Sequence, residues 1–104
     1  PLRDSVLYEL NVRGFTMRLP GVPDALRGTF EGLAHPAAIA HLKSLGVTTL
    51  SLMPVMEWLD EAPLAERGLR NYWGYNTIAF FCPARRLCHR PDDAIGEFRR
   101  MVAT

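Results

Sequence analysis

Three successive segments predict an α/β fold with parallel strands. They are an alternating run at residues 6–12, a helical run opened by Pro36 and closed by Gly46, and a β-branched and aliphatic run at residues 47–53. A strand, a helical crossover and a second strand make a βαβ unit, whose crossover is right-handed and whose strands run parallel. Of the 104 residues, 48% are hydrophobic and 22% charged, the balance of a folded domain rather than of a disordered segment.

In the first segment Val6, Tyr8, Leu10 and Val12 fall on one side and Leu7, Glu9 and Asn11 on the other. Arg13-Gly14-Phe15-Thr16 then reads as a turn. Residues 17–33 hold Pro20, Gly21, Pro23, Gly28 and Gly32 among few apolar residues, which is the punctuation of a long excursion. Its glycines do not match a phosphate-cradling loop with its lysine. Pro36 suits a first helical position, and Ile39, Leu42 and Leu45 recur on one face of a helix over residues 36–45. Residues 47–53 form the second strand, stopped by Pro54.

Glu57, Asp60 and Glu61 follow that strand's carboxyl end, where α/β sheets and barrels carry their chemistry. Paired carboxylates are the standard apparatus of glycoside hydrolysis, but nothing in the spacing brings any two of these together, and solvated loop charges are the preferred reading. Residues 62–70 are a polar connection. Thr77 to Phe81 is a short apolar segment stopped by Pro83, and a last helix begins at Asp92 or Asp93 with Ile95, Phe98 and Val102 on one face.

A net charge of +1, with basic and acidic residues interspersed, points to neither a nucleic-acid nor a membrane partner. No basic start precedes an early apolar run, so the default expectation is a cytoplasmic protein without a signal peptide or membrane span. Cys82, Cys88 and His89 fall short of a closed zinc set, and both cysteines read as reduced thiols. No metal or cofactor is expected.

The chemistry-bearing stretch is Asn71-Tyr72-Trp73-Gly74-Tyr75-Asn76. It sets three aromatic rings and two side-chain amides around one glycine. Rings cover the apolar faces of flat polar ligands such as sugars or bases, and amides bond their edges. The competing reading is a core strand beginning at Tyr72.

Together, Val6-Leu7-Tyr8-Glu9-Leu10-Asn11-Val12-Arg13-Gly14-Phe15-Thr16, Leu33-Ala34-His35, Leu45-Gly46-Val47-Thr48, Leu52-Met53-Pro54-Val55 and the aromatic stretch resemble the front of the catalytic barrel in glycoside hydrolase family 13. Within it the sequence is most similar to bacterial glycogen debranching enzymes of the isoamylase type. The resemblance implies a partial (β/α)8 TIM barrel: residues 1–104 would be its N-terminal fragment, with the first two βα units, the aromatic loop region and the start of the next helix. Such a barrel needs about 200 residues or more. The third-strand signature, of the form Asp-Val-Val-x-Asn-His, and the family's catalytic carboxylates lie beyond this stretch, so no catalytic residue is assigned.

Two site residues are implied. Tyr75 matches the tyrosine that stacks on the sugar preceding the scissile bond, and Trp73 lies where other members often place a His or Trp near the same sugar. Asn71 and Asn76 suit either hydroxyl bonding or turn capping. Asn11 replaces a common His, and Met56 a commonly polar residue. The implied activity is retaining hydrolysis of α-1,6 branch linkages in a branched α-glucan, with the fragment alone inactive. The alternatives are a non-catalytic glucan-binding or interaction module, or part of a branching enzyme or trehalose-releasing hydrolase of the same family. Oligomeric state is not legible.

Overall fold

Residues 2–104 are described by the structure, a computed structural model. The elements are β1 (Leu7–Leu10), α1 (Val12–Thr16), α2 (Phe30–Leu33), α3 (Pro36–Ser44), β2 (Thr49–Leu52), β3 (Met56–Trp58), α4 (Ala62–Ala65), β4 (Thr77–Pro83) and α5 (Ala94–Ala103). Single 3-10 turns occupy Leu2–Asp4, Asp24–Leu26, Arg85–Leu87 and Pro91–Asp93.

The βαβ expectation holds. β1 and β2 pair in parallel, with Leu7 opposite Thr49 and Leu10 opposite Leu52. Beyond the ladder, Met53 N donates to Leu10 O at 2.9 Å and Val6 N to Thr48 Oγ1 at 2.8 Å. β1 is shorter than its alternation predicts, because Asn11 ends it. Asn11 is extended, and its Oδ1 accepts from Gly14 N at 2.9 Å, the N-cap bond of α1. Val12 and Thr16, one helical turn apart, then both enter the core. The expected turn at residues 13–16 is therefore a capped helix.

The excursion at residues 17–33 is also no open loop, since Val22, Phe30 and Leu33 are all buried. Thr16 Oγ1 accepts from Gly28 N at 2.7 Å within the core. Thr29 caps α2 by accepting from Gly32 N at 3.1 Å and donates its hydroxyl to Leu26 O at 2.7 Å. A Cβ on Gly32 would lie 2.1 Å from Leu26 O, so α2 closes onto the preceding turn only because that position has no side chain.

In α3 the buried face is Ala38 and Leu42, while Leu45 at its C-cap is exposed, contrary to the predicted stripe. α5 is likewise rotated from expectation. Ile95 and Val102 are exposed, whereas Ala94, Phe98 and Met101 pack on the core and Glu97 is fully buried. Phe98 meets Phe30 edge to face at 5.2 Å. Asp93 precedes α5 without capping it through its side chain; instead its Oδ2 accepts from Arg100 at 2.9 Å.

Glu97 explains the rotation. Its Oε1 accepts from Glu31 N at 3.2 Å and from His89 N at 2.9 Å, and its Oε2 from Arg90 N at 2.9 Å. Glu31 N is one of the unpaired donors at the start of α2, so a carboxylate on α5 completes the capping that Thr29 begins. Around it, Arg90 pairs with Glu31 at 2.6 Å and Arg100 reaches the same carboxylate at 3.5 Å.

A second sheet was not foreseen. β3 and β4 pair antiparallel, Trp58 opposite Thr77 and Glu57 opposite Ala79. The next partner of β3, Met56, lies opposite Pro83, so Phe80, Phe81 and Cys82 bulge out of register. Phe81 sits at φ 66° and is 96% exposed. One apolar cluster gathers Leu10 and Val12 with Phe30, Leu33, Leu42, Trp58 and Leu87, joining both sheets to the helices.

Glu97→Gln replaces one acceptor oxygen by an NH2 group facing a backbone N–H. It should lower unfolding stability by roughly 1–3 kcal/mol. Urea unfolding checks this, and an unchanged midpoint would show that the carboxylate is dispensable.

Candidate functional site

The aromatic stretch is built upon Trp58, at the end of β3. Trp58 is 4% exposed, and its Nε1 donates to Asn71 O at 2.9 Å. Gly74 lies against the six-membered part of this indole. A Cβ there would come within 2.9 Å of Trp58 Cε3, and φ is +79°, in the left-handed region that glycine tolerates. The Arg86 guanidinium lies 4.7 Å from the centre of the same ring, within cation–π range, and also donates to Trp58 O at 3.3 Å.

Asn71 organises the turn with all its polar groups. Its N–H donates to Asp60 Oδ1 at 2.8 Å, its Nδ2 to Glu61 Oε1 at 2.9 Å, and its Oδ1 accepts from Gly74 N at 2.9 Å. The capping alternative for Asn71 is the one realised. Asn76 closes the far end, accepting from Leu59 N at 3.0 Å and donating through Nδ2 to Leu59 O at 3.4 Å.

On this frame stand the rings. Tyr72 and Trp73 are 44% and 53% exposed and meet edge to face at 5.0 Å; Tyr75 is 70% exposed. The stretch is therefore no core strand, and β4 begins only at Thr77. Among the described residues no ring contact joins Trp73 to Tyr75, which present two separate aromatic faces.

The three weighed carboxylates hold structure here. Glu57 Oε2 accepts from Arg85 N at 2.9 Å, and Asp60 accepts from Arg86 at 2.9 Å and from Asn71. Glu61 Oε1 serves Asn71, while its Oε2 is buried without a partner. The Arg86 guanidinium, and after it the Asn71 N–H, hold the Asp60 carboxyl below its ordinary value. Burial pushes the Cys88 thiol up to about 11, with the nearby Glu97 charge adding to it, so at neutral pH this sulfur is neither a nucleophile nor a ready ligand. Cys82 is exposed, and neither cysteine forms a disulfide. Among the described residues no three His, Cys, Asp or Glu side chains group as metal ligands, and no helix is long and apolar enough to cross a membrane.

Sequence reasoning found the rings and missed their frame. Trp58 and Arg86 carried no motif, and their part in the site arises only when β3 and β4 pair.

Gly74→Ala should cost roughly 1–3 kcal/mol, combining a left-handed alanine with contact against Trp58. Retained stability by thermal unfolding would mean that the turn is free to move. Asp60→Asn tests the Arg86 pair. A carboxylate whose folded value lies below its ordinary 3.8 contributes stability that is complete above that value and lost as pH falls through the lower folded value. The variant should melt below the parent at neutral pH, with the gap closing in strong acid. A gap independent of pH would sink this assignment.

No protein-family profile matches the chain. It is 46% identical over 104 residues to the "Glycogen operon protein GlgX homolog" of Mycobacterium tuberculosis strain H37Rv, covering 98% of this chain and 14% of that protein. The "Glycogen debranching enzyme" of Dickeya chrysanthemi is 51% identical over 102 residues, covering 98% of this chain and 15% of that enzyme. The crystal structure of pullulanase from Anoxybacillus sp. LM18-11 superposes with a TM-score of 0.75 at 28% identity, over 95% of this chain and 16% of that one. The pullulanase of Paenibacillus barengoltzii, solved in complex with maltohexaose and alpha-cyclodextrin, gives a TM-score of 0.75 at 26% identity, over 95% of this chain and 17% of that one. The chain spans 14–15% of the length of these two curated relatives. Over nearly its whole length the chain is thus homologous to one stretch of much longer proteins named for glycogen debranching and the glycogen operon, and it shares the fold of the matching stretch of the pullulanases.

Proposed function

We propose that this chain is the opening segment of the catalytic (β/α)8 barrel of a debranching glycosidase, which hydrolyses α-1,6 branch linkages of glycogen-type glucans. The observation that carries the proposal is the 46–51% identity over 98% of the chain to proteins named for glycogen debranching and the glycogen operon. The parallel β1–β2 pair with the α3 crossover supports the barrel reading, because it is the unit such barrels repeat.

In this reading Tyr75 stacks on the sugar that precedes the scissile bond and Trp73 supports it. Both rings are exposed on a rigid turn, as stacking on a sugar's apolar face requires. In the complete enzyme the reaction is a retaining double displacement: one carboxylate attacks the anomeric carbon, a second protonates the leaving oxygen, and water releases the glycosyl intermediate. Those carboxylates belong to later strands. Glu57, Asp60 and Glu61 are engaged with Arg85, Arg86 and Asn71 and take no part.

In the complete enzyme Tyr75→Ala should reduce kcat/KM on branched glucan roughly tenfold or more, Trp73→Ala less, and Tyr75→Phe little, since stacking contributes about 1 kcal/mol or more. Reducing-end release from branched glucan is the measurement. Unchanged kinetics in Tyr75→Ala would remove the stacking role, and clear turnover by the purified 104-residue chain would overturn the fragment reading.

A further inference from the structure

Beside the aromatic turn lies a separate cleft of about 140 Å³, walled by Arg13, Arg70, Arg86, Trp58 and Tyr72. Its charge is one-sided: no Asp or Glu lines it. Arg86 is balanced by Asp60, just outside the cleft, at 2.9 Å. Arg13 and Arg70 make no ion pair within 4 Å among the described residues, Arg70 only adding its charge to the field at Asp60, and the Tyr72 hydroxyl has no hydrogen-bond partner among them.

The acceptors on or next to the wall are engaged, and the unpartnered Glu61 Oε2 is buried on a residue that does not line the cleft. Asn71 O accepts from Trp58 Nε1, Asn71 Oδ1 from Gly74 N, and Asp60 from Arg86 and Asn71. A neutral sugar hydroxyl donates as well as accepts, and here it finds only the Tyr72 phenol oxygen free to accept from it. An oxyanion only accepts. Two guanidinium groups without an ion pair and the Trp58–Arg86 wall present donors and positive charge, the Tyr72 phenol can donate as well as accept, and the oxygens of Asn71, which also lines the cleft, already accept from Trp58 and Gly74.

The geometry points to this cleft as a binding site for a small phosphate group, either inorganic phosphate or the phosphate of a sugar monoester. Arginine suits such a ligand because its planar fork matches phosphate oxygens and its charge persists at every physiological pH. The site is distinct from the Tyr75 face and does not depend on the debranching reading.

The test is a titration of the full chain, 15N-labelled, with sodium phosphate, glucose 1-phosphate and glucose. The readout is the Trp58 indole N–H resonance, with calorimetry in parallel. Phosphate should shift that resonance saturably and glucose should not. Tighter binding of glucose 1-phosphate than of phosphate identifies a sugar monoester as the ligand, and equal binding identifies the free ion. Affinity should rise between about pH 5.5 and about pH 7.5, as the monoester takes its second charge.

The double variant Arg13→Gln, Arg70→Gln should weaken binding about tenfold or more, while the control Arg18→Gln, Arg67→Gln, at arginines likewise exposed, keeps it. Should the double variant misfold, each single variant tested alone gives the same comparison. Absence of a shift at about 50 mM phosphate, equal affinity in the Arg13/Arg70 and control variants, or an equal response to chloride would overturn the assignment.

Discussion

The fold depends on a buried carboxylate. Glu97 is fully enclosed, and both of its oxygens are satisfied by backbone N–H groups from two stretches of chain outside α5, the distant Glu31 and the nearby His89 and Arg90. A charge so placed is tolerated only where hydrogen bonds replace the water it has lost. The three donors therefore define where α5 can sit: against the first turn of α2 and the segment at residues 89–90. That placement brings Phe98 onto Phe30 and closes the excursion over the core. Apolar burial supplies most of the cohesion, but the polar contact selects which face of α5 is buried.

The same anchor is why the apolar spacing of α5 does not predict its buried face. Apolar spacing selects Ile95, Phe98 and Val102, and a glutamate between them reads as solvent-facing. The true face runs through Ala94, Glu97, Phe98 and Met101. Hydrophobic periodicity fails where a polar residue is the anchor, because its burial depends on partners outside its own helix, one of them, Glu31, far away in sequence. Where the signals are local they were legible. Pro36 and Gly46 bracket α3, and the two aliphatic runs pair in parallel as expected. Residues 17–33 show a third case. Val22, Phe30 and Leu33 follow no period, and the segment is ordered by Thr16, Thr29 and the missing side chain of Gly32.

The β3–β4 sheet was illegible for a related reason. Met56-Glu57-Trp58 is too short to show alternation, and its glutamate resembled a loop charge. Its pairing with β4 brings Arg85 N onto Glu57 and Arg86 onto Asp60 and Trp58. Of the candidate site, the exposed rings were visible as residues, and the likeness to family 13 distinguished Tyr75 and Trp73 from Tyr72. The supporting layer was not visible, since it consists of contacts between segments that only the folded chain brings together.

That layer has a thermodynamic meaning. An exposed ring on a mobile loop must lose backbone as well as side-chain freedom when it stacks on a ligand, and the ordering consumes much of the gain. Here the backbone entropy is already spent. Asn71 bonds Asp60, Glu61, Gly74 and Trp58, Gly74 rests on the indole, and Asn76 ties the turn to Leu59. In the proposed stacking role Tyr75 therefore has only its two side-chain torsions left to restrict. A single stacking contact contributes about 1 kcal/mol, which would vanish into the cost of ordering one or two backbone residues at 1–2 kcal/mol each. The carboxylates and amides at residues 57–76 thus serve the rings by holding the turn still, and that service accounts for polar residues at the end of a strand where a catalytic role would otherwise be the natural assignment.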